Sequence, residues 1–326
     1  MRDEGIVCRL KGESLVLRSA FIALSQNKKL RTFSESSAMG RKLSGRFVAG
    51  LTVEDALAVC ERLNREGIAV SLDSLGESVT VEAEARASAE IYHRLLDAIA
   101  ERRLNANVSV KLSQMGMDIV APDQEAAGES LAERIVEELV EDAERADSFV
   151  RIDMEGSSYT EATIAMTERL HARFPGRVGT VLQAYLYRTA RDTERLLGEG
   201  IRIRLCKGAY KEGPDQVYPS KEDVDANYIK LMKRMVKSEV FCGIATHDEA
   251  IVKVMLKFVR DERVEKNAFE FQMLYGVRRD LQRRLAAEGF GVRVYVPFGT
   301  EWYPYFMRRL AERPANVLFL VRNFLR

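Results

Sequence analysis

Charged and strongly hydrogen-bonding residues recur at the ends of short β-branched runs in this chain. They are Asp73 in AVSLDSL and Glu77 just after it, Lys111 in VSVKLS, Asp153 and Glu155 in FVRIDME, Gln183 in GTVLQAY, Arg204 and Lys207 in RIRLCKG, and Thr246 and His247 in CGIATHD. Brought together, such groups must pair with one another or hold a ligand, because an unpaired buried charge costs on the order of several kcal/mol. An internal salt-bridge network would meet that requirement without any substrate. Further along, Tyr305, Arg308 and Glu312 fall at spacings that share one helical face, with Arg309 beside them. Two adjacent guanidiniums one turn from an aromatic ring suit a small carboxylate, which the planar forks grip while the ring shields an apolar body. A solvated basic face is the competing reading of an Arg-Arg pair.

Two other chemistries compete for the same residues. Lys111 near Asp153 could serve a Schiff-base lyase of aldolase type, but that reading leaves Gln183, Arg204 and the arginine pair without a role. Metal hydrolysis is weaker, since His93, His171 and His247 are the only histidines and show neither HxH nor HExxH spacing. Cys8, Cys60, Cys206 and Cys242 lie far apart with no CxxC, so neither a zinc site nor a disulfide framework is expected, and a reducing cytoplasm is the default.

The elements that must position these residues alternate. Eight β-branched runs, completed by FEFQML and VRVYVPF, are separated by stretches with apolar residues three and four apart, such as Leu131, Ile135, Val136, Leu139 and Val140. Repeated strand and helix favour a doubly wound sheet or a closed (β/α)8 barrel. The count of eight and the absence of a GxGxxG turn favour the barrel, whose chemistry sits at the C-terminal ends of its strands. Before the first strand, residues 1–66 read as a helical arm, including a helix from Val53 to Arg65 with Thr52 as N-cap and Gly67 as stop, leaving 67–326 for the barrel. A length of 326 residues with 46% apolar content allows one large core. Fifty basic against forty-nine acidic residues give a net charge of +1, which offers no global attraction to nucleic acid. Arg2, Asp3 and Glu4 interrupt any signal peptide, and no apolar run approaches a membrane span, so membrane contact is expected to be peripheral at most.

The segments RIDMEGSSYT, VLQAYLYRT, RIRLCKGAYKE, ATHDEA, FEFQMLYG and YVPFGTEWYPYFMRRLAE, in that order, closely resemble the proline dehydrogenases, from about Phe47 to the C-terminus. The resemblance implies a distorted (β/α)8 barrel with FAD over the strand ends and a final helix covering the substrate. By motif, Arg308 and Arg309 resemble the pair that holds the proline carboxylate, with Lys111 as their third cationic partner. Asp153 resembles the carboxylate near the substrate and Lys111. Tyr210, Leu274, Tyr295 and Tyr305 resemble the walls around the pyrrolidine ring, and Glu77 a gate residue that pairs with Arg308 when substrate is absent. Arg204 resembles the guanidinium near flavin N5, and Gln183 a partner of the flavin ring. Met154, Lys207, Gly208, Ala209, Thr246 and His247 match the other FAD positions. Cys206 and Lys211 depart from the pattern around KGAY and put cofactor affinity in question more than chemistry.

The implied activity is oxidation of L-proline to Δ1-pyrroline-5-carboxylate, with the reduced flavin reoxidised by a membrane quinone and no pyridine nucleotide. The segment VLFLVRNFLR leaves no room for the aldehyde dehydrogenase module of bifunctional relatives, so a separate pyrroline-5-carboxylate dehydrogenase is the expected partner for the second oxidation toward glutamate. Such an enzyme would be cytoplasmic or peripheral at the inner face of the membrane.

Overall fold

A computed structural model describes residues 45–119 and 130–312, with the side chains of 308–312 outside that description. The expected arm therefore lies mostly outside the described residues, and so do the side chains of Arg308, Arg309 and Glu312.

Eight parallel strands close into a barrel in sequence order: β1 (Ala69–Ser74), β2 (Ala106–Val110), β3 (Val150–Ile152), β4 (Val178–Gln183), β5 (Arg202–Cys206), β6 (Cys242–Ala245), β7 (Phe269–Leu274) and β8 (Gly291–Phe298). The longest seam is the closing one, where β1 pairs with β8 from Ala69↔Arg293 to Ser74↔Phe298. The expected strand runs all form, but β2 ends at Val110 and β3 at Ile152, so Lys111 and Asp153 stand just past their strands.

Helix α1 (Val53–Arg65) begins where the sequence predicts: the Thr52 hydroxyl accepts from the Asp55 backbone N–H while the Asp55 carboxylate accepts from that of Thr52, a reciprocal capping box. Its stripe of Val53, Ala56, Leu57, Cys60 and Leu63 joins the barrel's own apolar core. The remaining helices are α2 (Glu82–Arg102), α3 (Leu131–Arg145), α4 (Thr160–Arg173), α5 (Thr189–Gly198), α6 (Lys221–Val236), α7 (Glu249–Asp261), α8 (Arg279–Ala287) and α9 (Trp302–Glu312). On α3 the predicted stripe Leu131, Ile135, Val136, Leu139 and Val140 is fully buried.

The core sits between strands and helices, and the barrel interior is polar. Strand side chains alternate between the two faces. Val70 and Leu72, Phe269, Phe271 and Met273, and Val292, Val294 and Val296 join the apolar core. Their neighbours Ser71, Glu270, Gln272, Arg293 and Tyr295 instead bond to partners on other strands across the barrel. Two glycines make room for the long interior side chains. A Cβ at Gly243 would lie 2.4 Å from Gln272 Nε2, and one at Gly179 would lie 2.3 Å from the Arg202 carbonyl oxygen and 3.0 Å from Arg151 Nη1. A second apolar cluster caps the mouth at β1 and β8, where Trp302, Tyr303, Tyr305, Phe306 and Met307 of α9 pack on Phe47, Val48 and Leu75.

Candidate active site

The C-terminal ends of β1, β2, β3, β5 and β8 converge on two buried ion pairs. Lys111 Nζ lies 2.8 Å from Asp73 Oδ1, and the two side chains are only 13% and 1% exposed. Arg204 Nη1 lies 2.8 Å from Asp153 Oδ1. Asp153 is fully engaged: Ser109 Oγ donates to Oδ1 at 2.8 Å and Tyr295 Oη donates to Oδ2 at 2.9 Å. The Arg204 guanidinium spreads over four partners, donating through Nε to Gln272 Oε1, through Nη1 also to Ser109 Oγ, and through Nη2 to Ser71 Oγ. The Tyr295 ring lies 5.3 Å from its central carbon.

Burial holds the Asp73 carboxyl above the ordinary carboxylate range, with Lys111 pulling the other way. For Lys111, burial alone would lower the ammonium, but Asp73 and Asp153 outweigh it and raise its pKa. A lysine so held stays protonated and makes a poor Schiff-base nucleophile, which needs a lowered pKa. The aldolase-type alternative is therefore not favoured. Burial, and next Asp153, pushes the Tyr295 phenol well above its usual value, so it remains a hydrogen-bond donor.

Around this centre the other predicted positions occupy the same mouth. Met154 and Gln183 are buried, and Gln183 donates to the Glu155 carbonyl at 2.9 Å. Glu155 folds back to accept from Ser113 N at 2.9 Å and Ser113 Oγ at 2.5 Å, which ties the β3 end to the turn after β2. Thr246 is buried, and His247 Nε2 accepts from the Leu274 backbone N–H at 2.8 Å, which leaves Nδ1 as the protonated nitrogen of the neutral ring. Lys207 bridges Asp225 and Asp248 at the β5 and β6 ends. Gly208 has φ +110° and a Cβ there would fall 2.1 Å from the Tyr185 ring, so protein packing itself requires a glycine. Ala209 is exposed, as is Tyr210 on the same loop at 43%. Leu274 is half-buried, Tyr305 is buried in the α9 cluster, and Glu77 lies exposed on the loop after β1.

Several residues that matter to this geometry had no role assigned from sequence. Asp73 was visible only as a polar strand end, and Ser71, Asn107, Ser109, Glu270, Gln272 and Arg293 were not singled out. Alternation was the available signal: FEFQ and VRVY set polar residues at every second position of otherwise apolar strands. Tyr92 on α2 bridges to Asp73, Ser74 and Gln114, but nothing in its helical context marks it. Glu212 accepts from Ser157 N at 2.7 Å and Oγ at 2.5 Å and so links the loops after β5 and β3. Among the described residues no cluster of His, Cys, Asp and Glu could hold a metal ion, and no helix is long and apolar enough to cross a membrane.

The donor set suits a flavin: buried amide, hydroxyl and guanidinium groups for ring heteroatoms, and a partly exposed Lys207 that would exchange its pairing with Asp225 and Asp248 for phosphate charge.

Comparison with known proteins places the chain in a family. The family profile described as proline dehydrogenase matches residues 56–322. The chain is 41% identical to proline dehydrogenase 1 of Bacillus subtilis subsp. natto over 95% of its own length and all of that protein. It is 40% identical to the proline dehydrogenase of Deinococcus radiodurans over 87% of its length and 90% of that protein. In fold it is similar to proline utilization A from Bdellovibrio bacteriovorus inactivated by N-propargylglycine, with a TM-score of 0.78 and 22% identity over 90% of this chain and 36% of the other. A family profile spanning most of the sequence and relatives matched nearly end to end lead to one conclusion: the chain belongs to the proline dehydrogenase family.

Proposed function

We propose that this enzyme oxidises L-proline to Δ1-pyrroline-5-carboxylate using FAD, and that a membrane quinone reoxidises the flavin. The observation that carries the reading is the pair of buried ion pairs at one rim of the barrel, Lys111–Asp73 and Arg204–Asp153.

FAD, when bound, supplies the two-electron acceptor. Arg204, Gln183, Met154, Lys207, Gly208, Ala209, Thr246 and His247 are the residues we assign to hold it. Arg204 offers positive charge to the ring, and Lys207 to the phosphates. The proposed substrate contacts follow from charge and shape. Lys111, kept cationic by Asp73, faces the substrate carboxylate together with Arg308 and Arg309 of α9. Tyr295, Tyr305, Leu274 and Tyr210 bound the five-membered ring and exclude water. Asp153 takes no proton in this scheme. Its two oxygens accept from Arg204, Ser109 and Tyr295 and so fix a cation and a phenol side by side. Glu77, exposed on the loop after β1, is assigned the gate role, pairing with Arg308 when substrate is absent. The substrate must enter with a neutral amine, so kcat/KM should rise from neutral toward alkaline pH. The product's further oxidation is assigned to a separate dehydrogenase.

The visible spectrum of the purified protein, before and after anaerobic addition of L-proline, tests the reading. Flavin bands that bleach with proline support cofactor and substrate together. A protein that stays colourless after incubation with FAD would overturn it.

A further inference from the structure

Behind Arg204 lies a relay that the proposed chemistry has not used. Arg204 Nε donates to Gln272 Oε1. The other end of that amide, Nε2, donates to Glu270 Oε1 at 2.6 Å, and the same carboxylate oxygen lies 2.6 Å from Arg293 Nε. Arg293 is anchored in turn on the Val70 carbonyl at 2.8 Å and on Asn107 Oδ1 at 3.1 Å. Asn107 Oδ1 also accepts from Ser71 Oγ at 2.5 Å, and Ser71 is itself a partner of Arg204. The loop of contacts thus closes on Arg204 through β7, β8, β2 and β1.

Glu270 and Gln272 are each 5% exposed, so water cannot replace a lost partner. An amide has a donor end and an acceptor end. If the Gln272 amide rotated by half a turn, its NH2 would meet the Arg204 N–H and its oxygen would meet the Glu270 carboxylate, and both contacts would be repulsive. The Glu270 carboxylate therefore dictates which end Gln272 turns to Arg204. Gly243 keeps the space that Gln272 needs, as a Cβ there would overlap its Nε2.

We propose that Glu270 and Gln272 are positioning residues that hold the Arg204 guanidinium in place and so would help set the reduction potential of a flavin bound there. This rests on the flavin reading above. A fixed positive charge favours the electron-rich reduced ring. Releasing Nε would let the guanidinium tilt toward Asp153 and weaken that effect.

The test uses the full-length protein loaded with FAD, comparing wild type with Glu270→Asp, which keeps the charge but withdraws the carboxylate from the Gln272 amide, and the near-isosteric Gln272→Met. Midpoint potentials are read by equilibration with a redox dye, beside FAD stoichiometry, thermal melting and steady-state kinetics. Both variants should retain stoichiometric FAD. The equilibrium constant for reduction should fall tenfold or more, about 30 mV for a two-electron couple, and kcat should fall while KM for L-proline changes little. An unchanged potential in either folded variant overturns the proposal, whatever happens to the rate. A wild-type protein that holds no flavin, or whose flavin L-proline does not bleach, overturns the parent reading instead.

Discussion

The barrel interior and the outer ring of helices are built from the same charged residues, yet they work in opposite ways. On the ring, Arg234–Glu194, Arg102–Glu61 and Arg86–Glu82 are paired with both partners about half or more than a third exposed. Water screens such pairs and could solvate either partner alone, so each contributes roughly 0–1 kcal/mol. At the mouth of the interior, no side chain of Arg204–Asp153 or Lys111–Asp73 is more than 14% exposed, so little water can replace a lost partner. Residue type therefore says little about importance here, while position in the barrel says a great deal. A similar gradient runs inside the barrel itself. Toward its floor Arg151 has only the carbonyls of Thr180 and Arg202 as acceptors, and burial followed by the like charge of Arg204 lowers its pKa to about 9. At the mouth, Arg204 has a carboxylate, and no such lowering is imposed on its neighbour Lys111.

Four experiments bear on this comparison, and the largest effect belongs to Asp153. Asp153→Ala removes the acceptor of Arg204, Ser109 and Tyr295 together and strands a buried guanidinium. We expect a loss of about 3–5 kcal/mol in unfolding free energy, read by urea denaturation, together with loss of L-proline oxidation. A loss comparable to a surface pair would break the contrast between the two regions.

Lys111→Met sharpens it through pH. The Asp73 carboxyl already sits above its unfolded value through burial, so the folded state holds a proton there more tightly than the unfolded chain does. Stability from such a group is greatest in acid and declines as pH rises from about 4 through the folded pKa. With the ammonium removed, only the Tyr92 and Tyr295 hydroxyls remain to offset burial of the anion. The melting temperature of the variant relative to wild type should therefore drop further at pH 8 than at pH 5, by an amount reflecting about 1–3 kcal/mol. Equal drops at both pH values would show that Asp73 has other compensation.

Gly208→Ala asks whether a loop at the mouth is as constrained as the interior. Its positive φ and the contact with the Tyr185 ring predict a cost of about 1–3 kcal/mol, measured by thermal melting, with weaker FAD retention. The smallest effect belongs to the ring: Arg234→Ala should change unfolding free energy by less than about 1 kcal/mol, and less still at high salt. A larger change would mean that exposed pairs carry real stability in this protein.

Much of the fold is legible in the sequence because it depends on local periodicity. The α3 stripe, the Thr52 cap and the eight strand runs each follow from residues within a dozen positions of one another. Candidate site residues were legible wherever a charge stood at the end of a run, as with Lys111, Asp153 and Arg204. The partners of those charges were not. Lys111 pairs with Asp73, 38 positions earlier, while Asp153 stays near enough to raise its pKa as well. Arg204 reaches Gln272, 68 positions later. No spacing rule links residues on different strands, because their proximity is created by closure of the sheet.

The sequence by itself determined the alternation of elements, the strand count, the family motifs and the set of charges that had to be accommodated. Tertiary structure decided which charge met which. Barrel closure brings β1 against β8 and turns every second side chain toward a shared interior. There the low dielectric makes each pairing consequential. Lys111 became a cation fixed by Asp73, unsuited to act as a nucleophile, and a glutamine unnoticed in FEFQML became the support of Arg204, for the same physical reason.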